Sequence, residues 1–322
     1  LNDGGLDFDG KNGADTFQEI AQEAADWLAF GQADISWSEG GWGYGPNDNA
    51  NDWADNSNSG YAVLGLAYAE GFGAVVPDWV KGELDIWINY VQCTAAGPEF
   101  GGSGYSGSCG DWVNQLKTGN LIFEMTYVGD DSSTQRFQDA LEYIETKWQD
   151  ATNDPGWGYT LNPADYQAMY TLMKGFEYSG VDLIDTDGDN VRDNDWFNQE
   201  PPASPAQDFA SVLVAQQNGD GSWPECSWGN QILCTTWALL TLEKVSPPPP
   251  NLPPDCSTAI PSQESLWPPN HNFVPIDILG VVDPDGDGFV INITSIFQDE
   301  PVDTNGDGKF VPDGMGIDTS TA

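Results

Sequence analysis

Basic residues are scarce in this chain. Only 9 lysines and arginines stand against 51 aspartates and glutamates, which gives a formal net charge of −42. This deficit excludes nucleic acid as a partner, because phosphate recognition needs a patch of Lys and Arg, and it disfavours acidic polysaccharides for the same reason. The sequence also lacks any apolar run close to the ~18 residues of a membrane-spanning helix, so we expect no membrane span.

Residues suited to catalysis are equally limited. The single histidine, His271, lies beyond a proline-rich segment, so no nucleophile–histidine pair can form in the first 245 residues. Arg136 and Arg192 are the two arginines, too few for a diphosphate clamp. A carboxylate pair for glycoside cleavage could always be chosen from 51 acidic residues, so it is not informative. We therefore predict no catalytic residues and a protein that is not an enzyme.

What the chain has in excess is negative charge. Such self-repulsion destabilises a compact state unless counter-ions neutralise it. The frequent aromatic residues, 14 Trp, 11 Tyr and 14 Phe, exclude a disordered acidic tail. We favour bound divalent cations as the explanation. The alternatives are a surface adapted to high salt or simply a very soluble secreted protein.

Five cysteines indicate an oxidising compartment. Cys93 and Cys109 flank one glycine-rich turn, and Cys226 and Cys234 flank another, so each pair is expected to close a local disulfide. Buried free thiols are the alternative reading, and Cys256 is left over. The chain begins with neither a methionine nor a signal peptide, as a processed mature end would. We expect an extracellular or cell-surface protein.

Self-similarity organises the first 245 residues. A turn of glycine and aromatic residues occurs four times, at 40–44, 101–105, 155–159 and 219–223. Apolar residues at three- and four-residue spacing predict a helix on each side of every turn. The predicted helices are 17–29, 61–69, 80–91, 116–128, 137–148, 166–178, 209–217 and 232–245. A repeat of roughly 50 residues is typical of repeat architectures, so we predict a mainly α domain of four helical hairpins.

The fourth turn carries the most specific motif. Residues 216–223 read QQNGDGSW and resemble the Gln…Gly-x-Trp signature of the prenyltransferase and squalene-cyclase repeat. The resemblance covers about residues 17–245. It implies an α/α-toroid-like fold in which the glutamine caps a helix end and the tryptophan stacks beside it, tying consecutive hairpins together. Four hairpins are fewer than the five or six that close a full toroid in the cyclases.

The residues that carry the activities of that family are not found in this sequence. The cyclases protonate an alkene with an Asp-x-Asp-Asp cluster, and no such tetrapeptide lies on an apolar helix; Asp130-Asp131 follows a helix end. The protein prenyltransferases hold zinc with Asp, Cys and His, which the helical region cannot supply without a histidine. The resemblance therefore predicts a fold and no activity.

Composition divides the chain into four segments. We interpret residues 1–16 as an extended arm, 17–246 as the helical repeat domain, 247–254 as a proline-rich linker and 255–322 as a small β module.

The β module is predicted from two β-branched runs, at 273–279 and 289–296. Residues 265–271 and 283–287 resemble an immunoglobulin-like module that follows such spacers in secreted prokaryotic proteins. We therefore expect a small Ig-like β-sandwich. It is incomplete as given, because such modules usually run to about 100 residues or more.

Aspartate-rich loops are the clearest functional signal. In residues 185–195, which read DTDGDNVRDND, carboxylates alternate around a glycine, so side chains on a tight turn converge on one point. Ca²⁺ takes about six to eight oxygen ligands, and this loop resembles the thrombospondin type 3 calcium repeat. Residues 303–313 repeat the scheme, 283–287 form a shorter candidate and 7–15 a weaker one.

The predicted cofactor is therefore Ca²⁺. Its predicted ligands are Asp185, Asp187, Asp189, Asp193, Asp195, Asp283, Asp285, Asp287, Asp303, Asn305, Asp307, Asp313, Asp7 and Asp9. The loops do not follow the EF-hand pattern, since no Glu closes them. Mg²⁺ fits less well because it keeps its waters, and solvated acidic turns without an ion are the alternative.

The aromatic residues beside the glycine turns have two readings. They could stack against a sugar ring, for which Trp42, Tyr44, Trp157 and Tyr159 are the main candidates. Tyr105, Trp223 and Trp228 lie at comparable positions. The alternative is that these rings plug the ends of the hairpins and serve packing.

Together these features predict a secreted, calcium-binding structural or adhesive protein. We expect self-association, with a segment such as residues 1–16 completing the β module of another copy by strand addition, or contact with cell-surface components. An extracellular filament or surface layer would result. The alternatives are a truncated longer chain, a carbohydrate-binding surface protein, and a toroid-fold enzyme such as a glycan lyase, a hydrolase or a terpenoid cyclase.

Overall fold

The structure is a computed structural model whose contacts divide the chain into two compact units, Leu1–Pro250 and Asn251–Ala322. The described residues are 16–34, 36–45, 53–150, 156–158, 163–203, 206–226, 229–247, 254–266, 272–283, 288–296, 315–317 and 319.

The described part of the first unit is mainly helical and contains the eight expected α-helices. Their bounds are α1 Phe17–Phe30, α2 Asn56–Gly71, α3 Asp78–Val91, α4 Gln115–Tyr127, α5 Gln135–Thr146, α6 Tyr166–Ser179, α7 Phe209–Gln216 and α8 Gln231–Leu242. One antiparallel strand pair, β1 Leu183–Ile184 and β2 Asn194–Asp195, lies between α6 and α7. The prediction of eight helices is confirmed.

The even-numbered helices share one kind of N-terminus. Each follows an Asp or Asn whose side chain accepts a hydrogen bond from a backbone N–H of the first turn: Asp55, Asn114, Asp165 and Asn230. These caps satisfy donors that have no partner within the helix. The chain therefore leaves each glycine-rich turn and enters the next helix at a fixed residue.

The helices form two layers. In the inner layer, α2, α4, α6 and α8 pack side by side in sequence order, and α4 makes its most extensive contact with α6. The odd-numbered helices lie outside: α1 packs on α2, α3 and α5 on α4, and α7 on α8. Every residue of α4 is buried, which places α4 at the centre of the unit.

A buried glutamine after α1 joins the first hairpin to the second. The side-chain amide of Gln32 donates to the carbonyl of Gly40 at 2.9 Å and to that of Val80, in the first turn of α3, at 3.0 Å. The turn also returns to α1, because the indole N–H of Trp42 donates to the carbonyl of Leu28 at 2.7 Å. One side chain therefore fixes both the turn and the start of the next outer helix.

The same arrangement recurs after α3 and α5. The amide of Gln92 donates to the carbonyl of Gly101 at 3.1 Å and to that of Arg136, in the first turn of α5, at 2.8 Å. The amide of Gln149 donates to the carbonyl of Ala206, just before α7, at 2.7 Å. Glutamines that follow α1, α3 and α5 therefore bond to the first turn of the next odd-numbered helix or, for Gln149, to a residue just before it.

Two turn glycines show how closely consecutive repeats approach. A Cβ atom on Gly40 would lie 1.8 Å from the carbonyl oxygen of Glu83 in α3, and one on Gly101 would lie 1.9 Å from that of Asp139 in α5. Both glycines have positive φ, +85° and +86°. Backbone conformation and the neighbouring helix therefore both require glycine there.

The fourth repeat keeps the local part of this pattern. The amide of Gln217 donates to the carbonyl of Gly221 at 3.0 Å, and the indole N–H of Trp223 donates to the carbonyl of Leu213 at 2.8 Å. The first repeat has the same two bonds. There the glutamine, Gln32, donates to a turn glycine, and the tryptophan, Trp42, donates to a carbonyl of the preceding helix.

Both expected disulfides are present. Cys93 is bonded to Cys109 and Cys226 to Cys234. Each closes a loop between the helices of one hairpin and so restricts the unfolded chain. Cys256 is an exposed free thiol.

The described part of the second unit holds one small antiparallel pair, β3 Ile260–Pro261 with β4 Ile278–Leu279, extended by a bridge between Asp255 and Val282. Residues 289–296, which the sequence predicts as a strand, form no strand with the described residues. Their backbone makes one long-range bond, from the N–H of Ile293 to the carbonyl of Thr319 at 2.9 Å.

Within the described residues, none of the helices combines the length and the apolar character that crossing a membrane requires. Residues 1–15 of the expected arm 1–16, and residues 248–253 of the expected linker 247–254, lie outside the described residues.

We expect Gln32→Ala to destabilise the first unit by about 1–3 kcal/mol, because two buried hydrogen bonds are lost and a small cavity is left. Urea unfolding followed by circular dichroism measures this. The matched control is Gln135→Ala, which removes an exposed amide bonded only to Asp139 and should change the free energy of unfolding by less than about 0.5 kcal/mol. Equal effects of the two substitutions would contradict the role assigned to Gln32.

Candidate functional site

The predicted calcium loop 185–195 begins and ends in the hydrophobic core. Strands β1 and β2 pair Leu183 with Asp195 and Ile184 with Asn194, so the loop closes a short hairpin. Ile184 is fully buried, and Trp196, directly after β2, is 2% exposed. A buried residue at each end therefore holds an otherwise exposed acidic loop.

Three carboxylates converge in this loop. Asp185, Asp187 and Asp189 each place one oxygen within 4.8 Å of the other two. Two oxygens bound to one Ca²⁺ lie at most about 5 Å apart, twice the Ca–O distance, so the three side chains are spaced to share an ion. We call Asp185, Asp187 and Asp189 the carboxylate triad.

Backbone amides preorganise the triad. Asp185 accepts hydrogen bonds from the N–H groups of Gly188 at 2.7 Å and Asn190 at 2.8 Å. The hydrogen bond from Gly188 is the main cause that lowers the pKa of Asp185 from its ordinary value. Gly188 and Asn190 have positive φ, +80° and +66°. The left-handed backbone turns the loop around the ionised carboxylate of Asp185.

Helix α5 holds the loop from the side. Glu145 accepts from the backbone N–H of Asp185 at 3.1 Å and from Nε of Arg192 at 2.6 Å. Nη1 of Arg192 donates to Gln138 at 2.8 Å. The one cation of the loop is therefore engaged with α5 and leaves the triad carboxylates available.

The triad does not include the other two predicted ligands of this loop, Asp193 and Asp195. Asp193 accepts from the side-chain amide of Asn194 at 2.6 Å, and Asp195 caps a turn by accepting from the N–H groups of Phe197 and Asn198 at 2.8 and 3.0 Å. Asp193 lies one position beyond the paired Asn194, as Asp185 lies one position beyond its partner Ile184.

The remaining predicted ligands fall mostly outside the described residues. These are Asp7, Asp9, Asp285, Asp287, Asp303, Asn305, Asp307 and Asp313. Asp283 is described and half-buried, and it does not belong to the triad.

The donor set of the triad suits a hard cation. It consists of carboxylate oxygens on an exposed loop. Zinc and copper prefer histidine nitrogen or cysteine sulfur, and the triad contains neither. Three carboxylates leave room for backbone carbonyls and water to complete about six to eight ligands. The residues present therefore fit Ca²⁺.

The aromatic stacking candidates divide in two. Trp42 and Trp157 are 4% and 0% exposed, so the idea that they offer a face to a ligand is wrong, and both serve packing. Trp223, 1% exposed, does the same. Tyr44 is 77% exposed. Tyr159 and Trp228 lie outside the described residues.

Tyr44 is part of a larger group that the sequence analysis did not assemble. Its ring stacks on Trp53 with centroids 5.5 Å apart, and Trp53 meets Tyr105 edge-on at 6.2 Å. Tyr105 in turn lies 5.9 Å from Trp112. We call Tyr44, Trp53, Tyr105 and Trp112 the aromatic cluster.

Two fully buried charges lie at the centre of the helical unit. Lys174 of α6 donates to the carbonyl of Gly60 in α2 at 3.0 Å, and its ammonium lies 5.1 Å from the ring centroids of Tyr61 and Phe123. Burial lowers the pKa of Lys174 to about 7, with Glu124 of α4 opposing the shift. Burial raises the pKa of Glu124 well above its ordinary range, with Lys174 opposing.

The Glu124 carboxylate is fully buried, and the side chain of Asn56 helps Lys174 to oppose the rise of its pKa. Its nearby countercharge is Lys174, and the two are fully enclosed. The pair therefore belongs to the core, where each charge limits the cost of burying the other.

No protein-family model matches the sequence, and the curated proteins contain no significant match.

We expect Lys174→Met to cost about 3–5 kcal/mol of unfolding free energy, because it leaves the buried Glu124 without its cation. The double variant Glu124→Gln/Lys174→Met should recover a large part of that loss. Guanidinium unfolding of the two variants measures the difference. A double variant no more stable than Lys174→Met would show that the two charges do not act as a pair.

Proposed function

We propose that this is a secreted, calcium-binding structural or adhesive protein whose acidic loops are ordered by the ion. The observation that carries the proposal is the carboxylate triad, three aspartates with oxygens within 4.8 Å of one another on a loop anchored in the core at both ends. Two disulfides are compatible with an extracellular protein.

Charge supports an ion in this position. The chain carries a net charge of −42, and three carboxylates within one small volume repel one another at neutral pH. A divalent cation at the triad replaces that repulsion with attraction. It also draws β1 and β2 together, because the loop between them contracts around the ion.

In this proposal the helical unit is the rigid part of the protein. We assign it to the α/α-toroid type on the basis of its alternating inner and outer helices and the repeated glutamine link. The second unit is proposed as an Ig-like module. Since Glu124 and Lys174 are enclosed at the centre of the first unit, its inner helices serve as packing and the proposal includes no catalysis.

The second unit supports self-association into a filament or surface layer. Ile260, Leu279 and Val282, at the paired strands, are 57%, 49% and 59% exposed. Such apolar side chains beside short strands favour a further strand that covers them. We propose that a segment of another copy provides it.

Calcium binding is tested by calorimetric titration of the EDTA-treated full chain. We expect binding, a higher melting temperature with Ca²⁺, and for Asp187→Asn at least about a tenfold loss of affinity at the triad. The matched control is Asp131→Asn, an exposed aspartate in a comparable turn with Ser133, which should bind as the unaltered chain does. If Asp187→Asn and the unaltered chain bind Ca²⁺ with equal affinity, the triad is not the binding site.

Self-association is tested by light scattering of the full chain with millimolar Ca²⁺ and with EDTA. We expect a concentration-dependent increase in mass with Ca²⁺ that Leu279→Glu abolishes, because a charge on the exposed edge opposes strand addition. A chain that remains monomeric at millimolar Ca²⁺ would contradict the proposed assembly but not the proposed calcium site.

A further inference from the structure

Three rings of the aromatic cluster, Tyr44, Tyr105 and Trp112, line a cavity that the calcium proposal does not use. The cavity has a volume of roughly 280 Å³, and Tyr44, Tyr105, Trp112 and Lys117 contribute to its wall. This size is close to the lower end of small-ligand sites, about 300 Å³. We call it the aromatic pocket.

The pocket lies where three inner helices begin. Ser57 is in the first turn of α2, Asn114 and Lys117 are at the start of α4, and Gln167 is in the first turn of α6, and all four line the cavity. The repeat architecture therefore brings hydroxyl, amide and ammonium groups from three hairpins to one place.

The loop that carries two of the rings is fixed before any ligand binds. The Cys93–Cys109 disulfide holds the segment between α3 and α4. Within that segment, the N–H of Tyr105 donates to the carbonyl of Asp111 at 2.8 Å, and the carbonyl of Tyr105 accepts from the N–H of Asn56 at 2.8 Å. Preorganisation of this kind lowers the entropic cost of binding.

Trp112 is held in an unfavourable backbone conformation. Its φ is +57°, in the left-handed region that a bulky residue rarely adopts. Its side chain is nevertheless 46% exposed, and the ammonium of Lys117 lies 4.6 Å from its ring centroid. Strain combined with an exposed aromatic ring is typical of a binding position.

The tyrosine hydroxyl groups add directional hydrogen bonding to the aromatic wall of the pocket. The hydroxyls of Tyr44 and Tyr105 lie 3.2 Å apart in a hydrogen bond, so they offer a joined donor and acceptor at the cavity wall. An apolar ligand would remove water from this hydroxyl pair and from the neighbouring amide groups without replacing its hydrogen bonds, which costs binding energy. The pocket therefore suits a ligand that has both an apolar face and hydroxyl groups.

Charge excludes ionic ligands. The net charge of −42 repels anions at long range. The ammonium of Lys117 already lies 4.6 Å from the ring centroid of Trp112, so it disfavours a cationic ligand at that ring. A neutral ligand is left.

We propose that the aromatic pocket binds a neutral saccharide. The rings of Tyr44 and Trp112 stack against the C–H face of the sugar, because that face is apolar. The tyrosine hydroxyls, with Asn114 and Gln167, hydrogen-bond to its hydroxyl groups. The site is separate from the carboxylate triad and does not depend on calcium at that loop.

The test is calorimetric titration of the full chain with four neutral hexasaccharides, cellohexaose, chitohexaose, maltohexaose and xylohexaose, and with the acidic hexagalacturonate. At least one neutral sugar is expected to bind, and hexagalacturonate is not. The identity of the sugar that binds distinguishes plant, chitinous and starch-type sources. Absence of binding by every neutral sugar at millimolar concentration, or preference for hexagalacturonate, overturns the proposal.

Variants locate the binding site. Trp112→Ala is expected to weaken binding at least about tenfold, whereas Tyr44→Phe, which keeps the ring, is expected to weaken it less than Tyr44→Ala does. The matched control is Trp79→Ala, since Trp79 on α3 is 41% exposed and does not line the pocket. Near-UV circular dichroism verifies folding. Equal affinities of Trp112→Ala and Trp79→Ala would assign any sugar binding to another surface.

Discussion

The glutamine amide that joins consecutive repeats is the interaction on which the helical unit depends. Gln32 and Gln92 each donate to a carbonyl of their own turn and to a carbonyl in the first turn of the following outer helix. A single side chain thereby sets the distance and the register between neighbouring hairpins. Because the turn backbone lies against that helix, Gly40 and Gly101 have no space for a side chain.

This spacing decides where functional groups can lie. Stacked hairpins bring the first turns of α2, α4 and α6 together, and the loops before them carry Tyr44, Tyr105 and Trp112 to the same end of the unit. Inside the unit, by contrast, α4 and α6 pack so closely that Glu124 and Lys174 are enclosed. The groups proposed to bind ligands therefore lie at the helix ends and in the long insertion, while the centre is core.

The acidic insertion combines rigidity with charge. Ile184 and Trp196 fix its ends in the core, and Glu145 of α5 holds both Arg192 and the backbone of Asp185. Local hydrogen bonds to Asp185 shape the turn, so alternate aspartates face one another across a short distance. Such an arrangement places like charges close together, which is the condition under which a divalent cation stabilises a loop most.

The sequence by itself determined the eight helices, the two disulfides and the alternation of aspartates in the acidic insertion, because each depends on local periodicity or spacing. Tertiary structure decided the rest. It placed α5 against α4, and it buried Trp42 and Trp157 and left Tyr44 exposed, although all three lie beside similar turns. It also brought Trp53 and Trp112 to Tyr105. The reason is physical: burial and convergence depend on which repeat lies against which, and residues far apart in the chain acquire that relation only when the hairpins pack.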